Sequence, residues 1–227
     1  MAVFDFQGYQ QQTSDLIARA SQKSETFEPI MKQLRQLADE AEGHLDDHPG
    51  DRLQIDCGPG CSSCCVVNVS TLLPEGLSIA HYLRSGGEKQ KQQVEDRLNR
   101  LWNEIRGLDD EDRLFVRRSC AFLDENGCCG IYPVRPLLCR SVTSTDAKAC
   151  CDALSGLLLG DETSVLMHQF QQSLYESLFK GVTDGLEEAG IDSRSYQLAG
   201  LIRFLLRNPD VEKELLQGRQ LTWQDLY

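Results

Sequence analysis

The chain has 227 residues, enough to bury a substantial core, and sets 23 Lys and Arg against 35 Asp and Glu for a formal charge of −12. A field of that sign repels phosphate backbones and anionic membrane surfaces, so neither nucleic acid nor a membrane is the expected partner. No apolar run of about 18 residues occurs, and Met1 to Gln12 carries neither a basic region nor an apolar stretch before a small-residue cleavage site, so a cytoplasmic protein is expected.

From Glu25 to Glu42, apolar residues fall at Phe27, Ile30, Met31, Leu34, Leu37, Ala38 and Ala41, the spacing of one helical face, which predicts an amphipathic helix over residues 25 to 43. Pro49 and Gly50 break it and lead into a first group of cysteines. A second helix begins at Pro74, whose fixed φ suits a first turn, and runs to about Ser85 before Gly86 and Gly87. Val94, Leu98, Leu101 and Ile105 then mark the apolar face of a long surface helix from about Glu88 to Arg106.

Between Cys120 and Tyr132, two short apolar runs flank the turn-prone Asp124 to Gly127, which predicts a small hairpin. Beyond Asp161, read as an N-cap, Leu166, Phe170, Leu174, Leu178, Val182 and Leu186 recur every four residues. Ser195 to Leu206 repeats the helical pattern until Asn208 and Pro209 stop it. The expected fold is mostly α: an irregular helical domain with a cysteine-rich metal-binding loop region and one short β-hairpin. Residues 1–49 form an N-terminal helical region, 50–155 a cysteine-cluster core, and 156–227 C-terminal helices packing on it, as one structural domain. There is no internal repeat and no low-complexity segment.

The ten cysteines are concentrated in two short regions. In a reducing compartment such clusters point to metal ligands or redox groups rather than to a disulfide framework. The first reads Cys57-Gly-Pro-Gly-Cys61-Ser-Ser-Cys64-Cys65, on a loop whose Gly58 and Gly60 tolerate dihedrals that other residues avoid, so its amides can turn toward the sulfurs. The second comprises Cys120, Cys128, Cys129 and Cys139, followed by Cys150 and Cys151. Thiolates are soft ligands that favour zinc, at about 2.3 Å, or an iron–sulfur cluster, and disfavour magnesium and calcium. Four-coordination allows two mononuclear sites or one cluster with spare thiols, and spacing does not choose between them. In an extended segment Cys64 and Cys65 would point to opposite sides and face two different sites. Against ligation stands the frequent burial of free cysteine as a small hydrophobe, which applies to Cys64, Cys65, Cys128 and Cys151.

The segments Cys57-x3-Cys61-x2-Cys64-Cys65, Cys120-Ala-Phe-Leu and Cys129-Gly-Ile-Tyr-Pro-Val-Arg-Pro-Leu-Leu-Cys139-Arg resemble the zinc- or iron-chelating cysteine-cluster family, which has eight characteristic cysteines and includes relatives of the flagellin lysine N-methylases. The resemblance covers roughly residues 50 to 155 and implies Cys57, Cys61, Cys64, Cys65, Cys120, Cys129, Cys139 and Cys150 as ligands, with Cys128 and Cys151 as extras and Cys151 as a substitute for Cys150. Arg135, Pro136 and Arg140 also match the pattern. Pro136 stiffens the backbone before Cys139, and a guanidinium beside thiolates would offset their charge; pairing of both arginines with surface carboxylates is the competing expectation. Tyr132 is expected in the core with its hydroxyl hydrogen-bonded.

The four histidines, His44, His48, His81 and His168, do not stand at ligand spacing beside a cysteine group, and His81 is expected to be satisfied on a helix facing the core. No phosphate loop, dinucleotide fingerprint, zincin motif or nucleophile elbow is present. Cys57, Cys61 and Cys64 share the C-x3-C-x2-C spacing of radical S-adenosylmethionine enzymes, but the chain lacks the repeated strand–helix units of a barrel.

The leading expectation is therefore a protein in which zinc or iron organises the loops, while the helices offer a surface to a protein partner or the metal is stored and relayed. An iron–sulfur enzyme such as a protein lysine N-methylase, as the resemblance implies, is one alternative. A thiol redox sensor using Cys128 with Cys129, or Cys150 with Cys151, is another.

Overall fold

Helix α1 (Phe6–Ser21) and helix α8 (Gln169–Glu188) form the tightest pair in the molecule. Their closeness originates in two glycines one turn apart on α8. A Cβ on Gly181 would lie 2.5 Å from the Gln10 carbonyl and 2.6 Å from Thr13 Cβ, and one on Gly185 would lie 2.6 Å from the Ser14 carbonyl. Each glycine costs a helix interior roughly 1 kcal/mol relative to alanine, which the backbone-to-backbone contact offsets. Residues 4–22, 24–48, 54–156 and 164–227 are described by this computed structural model.

The remaining elements follow in chain order: α2 (Glu28–Asp47), β1 (Ser70–Thr71), α3 (Leu73–Ser85), α4 (Glu88–Ile105), α5 (Asp110–Val116), α6 (Leu137–Ser141), α7 (Ala147–Gly156), β2 (Tyr196–Gln197), α9 (Leu198–Arg207), α10 (Glu212–Leu216) and α11 (Trp223–Leu226). The apolar stripes read from the sequence are the buried faces of α2 and α4: Ile30, Met31, Leu34, Leu37, Ala38 and Ala41 on one, Val94, Leu98, Leu101 and Ile105 on the other. Helix α9 is buried nearly all round, from Leu198 to Leu206, and packs on α3, α4 and α11. Fully burying each of its leucines is worth about 1.5–3 kcal/mol, which makes α9 the centre of the core. Among the described residues, no helix is long and apolar enough to cross a membrane.

Several boundaries differ from those read in the sequence. Helix α2 continues to Asp47, because Leu45 adds a further fully buried position. The C-terminal helix begins at Gln169 with His168 as its N-cap, whose Nδ1 accepts from Gln171 N at 3.1 Å; Leu166 is 71 % exposed, and Asp161 lies outside the described residues. Helix α9 starts at Leu198 because Tyr196 and Gln197 form a strand, pairing antiparallel with Thr71 and Ser70.

The reversal read as a hairpin does turn back on itself. Asp124 N donates to Cys128 O at 2.9 Å and Gly130 N to Phe122 O at 2.8 Å, but its ladder is the single bridge between Leu123 and Cys129. The two-residue ladder of β1 and β2 instead joins segments far apart in the chain, as Ser70 with Gln197.

Two buried carboxylates fasten these elements. Glu75 accepts from Leu72 N at the start of α3 and from Leu137 N at the start of α6, each at 2.7 Å. Asp192 pairs with Arg194 at 2.8 Å, accepts from the Tyr196 hydroxyl and from Leu221 N, and so holds the last segment of the chain against β2.

Candidate metal centre

The loop from Cys57 to Cys65 is built from two tight turns, closed by Cys61 N on Gly58 O at 3.0 Å and Cys65 N on Ser62 O at 2.9 Å. It lies directly on the 124–128 reversal. A Cβ on Gly127 would stand 3.0 Å from the Gly60 carbonyl, and both residues have positive φ, +87° at Gly60 and +74° at Gly127. Glycine is therefore needed on both faces of this contact. Asp124 Oδ1 holds the reversal by accepting from Asn126 N and Cys128 N.

The two cysteine-bearing stretches are joined by hydrogen bonds. Cys120 N donates to Cys65 O at 2.7 Å. Further along, Asp56 N donates to Ser144 O at 2.9 Å, Ser144 N donates to the Cys57 sulfur at 3.2 Å, and Ala147 N donates to Asp56 Oδ2 at 3.0 Å. Cys139 rides on α6, whose first amide is the one Glu75 holds.

These ties leave a cavity of about 670 Å³ between the loop, the reversal and α6. Cys57, Cys61, Cys64, Cys65, Cys120, Cys128, Cys129 and Cys139 all line it. Seven of these are residues that the family resemblance implies as ligands. Cys128, left aside in the sequence as an extra, is the eighth, and nothing in its spacing distinguished it from a packed hydrophobe. Cys150, on α7, does not line the cavity but stands near enough to Cys57 to raise its thiol pKa, while Cys151 is exposed. All ten cysteines are free thiols. Among the described residues, no three cysteine, histidine or acidic side chains already stand close enough to hold an ion.

The matching family model, named CxxCxxCC and described as a "Putative zinc- or iron-chelating domain", spans residues 56–152, the stretch that carries all ten cysteines. The match to that model is confined to this segment. Neither a curated protein nor a solved structure matches the chain.

Within the CxxCxxCC domain, burial sets the protonation of the thiols. It pushes Cys120 up to about 11 and also raises Cys57, Cys129 and Cys139, while Cys65 is raised first by its hydrogen bond to Cys64 and then by burial. Cys64 is the exception: a hydrogen bond from the Cys65 thiol, its own amide and the Arg135 guanidinium lower it to about 6. Cys64 and Cys65 occupy a turn rather than an extended segment, so their sulfurs touch instead of pointing apart.

The guanidiniums supply the test of whether an anionic metal–thiolate centre fits here. Arg113, on α5, is 1 % exposed, yet its Nε and Nη1 have no hydrogen-bond partner, and it has no carboxylate partner among the described residues. Its one hydrogen bond goes to the Arg118 carbonyl. An uncompensated buried charge costs several kcal/mol, and the group facing Arg113 that can carry negative charge is the Cys120 thiol. Arg97 stands beside the same thiol, with Nη1 on the Leu123 carbonyl at 2.8 Å and Nε unpartnered. Arg135 faces Cys64, Cys129 and Cys139, also with its Nε unpartnered. Thiolates on a soft cation would supply the negative charge these guanidiniums lack, so the donor set of the CxxCxxCC domain fits zinc or iron. No motif marked Arg97 or Arg113; a lone arginine in the acidic run of α5 was the only trace in the sequence.

The surroundings of Arg140, Tyr132 and the histidines bear on three other readings. Arg140 pairs with Glu42 at 3.8 Å and braces the Pro133 and Arg135 carbonyls, so of the two motif arginines only Arg135 turns to the thiols. Tyr132 is not in the core: it is 59 % exposed, with the Arg135 guanidinium 4.5 Å over its ring, because the 3-10 turn at Tyr132–Val134 presents it outward. Among the histidines, His81 bonds to Glu212, and His44 and His48 pack with Phe4.

Proposed function

We propose that this protein is a metal-binding protein in which zinc or iron is held by thiolates of Cys57, Cys61, Cys64, Cys65, Cys120, Cys129, Cys139 and Cys150, and that metal capture orders the loops of the CxxCxxCC domain against the helices. The observation that carries this reading is the pairing of a thiol-lined cavity with Arg113, a buried cation that has no carboxylate partner among the described residues. A bound soft cation supplies the positive charge that lets buried thiols ionise, and the ionised thiols in turn satisfy Arg97, Arg113 and Arg135. Protein purified without oxygen should retain stoichiometric zinc or iron, and should lose it together with ordered structure in residues 56–152 when chelated or alkylated. Retention of structure and absence of metal would sink the proposal.

One observation favours a second reading, an iron–sulfur-dependent enzyme. The cavity extends past the thiols to an apolar floor of Leu98, Leu101, Ile105, Ile131 and Leu198, and its volume falls within the range of small-molecule sites, roughly 300–1,000 Å³. Acid-labile sulfide with visible sulfide-to-iron charge-transfer absorption would favour it; colourless protein with zinc would exclude it.

A further inference from the structure

We infer that the domain holds two metal centres that meet at the Cys64–Cys65 pair: an inner one formed by Cys65, Cys120, Cys129 and Cys139, and an outer, more readily exchanged one formed by Cys57, Cys61, Cys64 and Cys150. The inference rests on the metal-binding reading above and assigns its stoichiometry and order.

Each set has its own backbone clamp. The inner set is fixed by Cys120 N on Cys65 O and by the Leu123–Cys129 bridge that folds Cys129 back beside Cys120. The outer set is fixed by the Asp56–Ser144 and Asp56–Ala147 bonds, which place Cys57 against the start of α7 and thereby beside Cys150. Cys57 and Cys61 flank one turn, closed by Cys61 N on Gly58 O, and Cys65 closes the next on Ser62 O, while Cys139, on α6, lines the same cavity as Cys65, Cys120 and Cys129. The two sets meet at the neighbouring Cys64 and Cys65.

Four thiolates complete a tetrahedral shell at about 2.3 Å, so eight sulfurs tied in two groups cannot share one ion. Access separates the groups as well. Cys57 and Cys64 are exposed, whereas no member of the inner set is. The guanidiniums of Arg97 and of the buried Arg113 stand beside Cys120, giving the inner set a fixed counter-charge.

The test uses the full chain, loaded with zinc without oxygen, with bound zinc quantified and its release to a chromophoric chelator followed by stopped flow. Two zinc ions per chain released in a fast and a slow phase of equal amplitude are expected. The double variant Cys57→Ser, Cys150→Ser should lose one zinc and the fast phase and keep the slow one, and Cys151→Ser should keep both. One zinc per chain, two released in a single phase, or loss of the slow phase from a double variant with unchanged circular dichroism would overturn the inference while leaving metal binding intact. No zinc at all would overturn the metal-binding reading itself. If the double variant does not fold, cadmium NMR of the loaded natural protein decides: two tetrathiolate resonances support two centres, and one overturns them.

Discussion

The helical scaffold of α1, α2, α8 and α9 and the cysteine-bearing segment between Asp56 and Cys151 meet the same demand, the burial of their chain, by different means. The scaffold uses apolar faces, glycines that let backbones touch, and charges that are matched where they are buried, as Asp192 is by Arg194 and Tyr196. The cysteine segment contributes few buried apolar residues, among them Ala121, Phe122, Ile131 and Leu137, and is held by backbone hydrogen bonds to carbonyls, carboxylates and a sulfur. Its buried Arg113 has no carboxylate partner among the described residues. The scaffold matches its buried charge within its own side chains, whereas the cysteine segment leaves guanidinium nitrogens of Arg97, Arg113 and Arg135 without a hydrogen-bond partner among the described residues.

The largest expected effect separates the two regions directly. Zinc at about a thousand times its dissociation constant should raise the unfolding free energy by ~4 kcal/mol. Hydrogen exchange should show the added protection in residues 56–152, with α1 and α8 unchanged; equal gains everywhere would erase the contrast.

Next comes pH, where the two buried carboxylates should act with opposite sign. Burial raises Glu75 from 4.5 to about 7, so the folded metal-free protein holds a proton that the unfolded chain releases. Its contribution is fully present below the unfolded value and is lost as pH rises through about 7, a change of about 3 kcal/mol that Glu75→Gln should abolish in urea unfolding curves. Asp192 is lowered overall: burial opposes this, but Arg194, the Tyr196 hydroxyl and backbone amides outweigh it. Its contribution is present above the ordinary carboxylate value and is lost as pH falls through the lower folded one. Loss of stability with acid in Asp192→Asn equal to that of the natural protein would contradict this.

Within the scaffold, Gly181→Val should cost about 2 kcal/mol and lower the thermal midpoint, because its side chain meets the Gln10 carbonyl and Thr13. Metal affinity should not change. The smallest effect sharpens the comparison most: Arg113→Met should stabilise the metal-free protein by about 1 kcal/mol, since an unpaired buried charge is removed, and should weaken zinc binding. A destabilised metal-free variant with unchanged affinity would show that Arg113 serves packing alone.

How legible each part was in the sequence follows from the same division. Helices α2, α4 and α9 could be read because their apolar residues carry the helical period, and α3 because Pro74 opens it and Gly86 and Gly87 close it. Helix α1 could not, since its buried face includes Thr13 and Ser14 and is defined by glycines at 181 and 185, far along the chain. The β1–β2 ladder was hidden for the same reason: its partners are remote in sequence and each strand has two residues. For the candidate site, the cysteine spacing led to the stretches that the structure joins. The charges that complete the argument, Arg97 and Arg113, sit on helices whose patterns speak only of packing, and Glu75 follows Pro74 in what reads as an ordinary first turn.

The short ladder after the cysteine loop links the thiols to the middle of the molecule. Val69 accepts from Leu198 N at 2.9 Å, and within the next turn of that helix Gly200 lies under the ring of the fully buried Trp102. A shift of the loop that displaced this helix would register at a fully buried indole, so Trp102 fluorescence offers an optical gauge of events at the sulfurs.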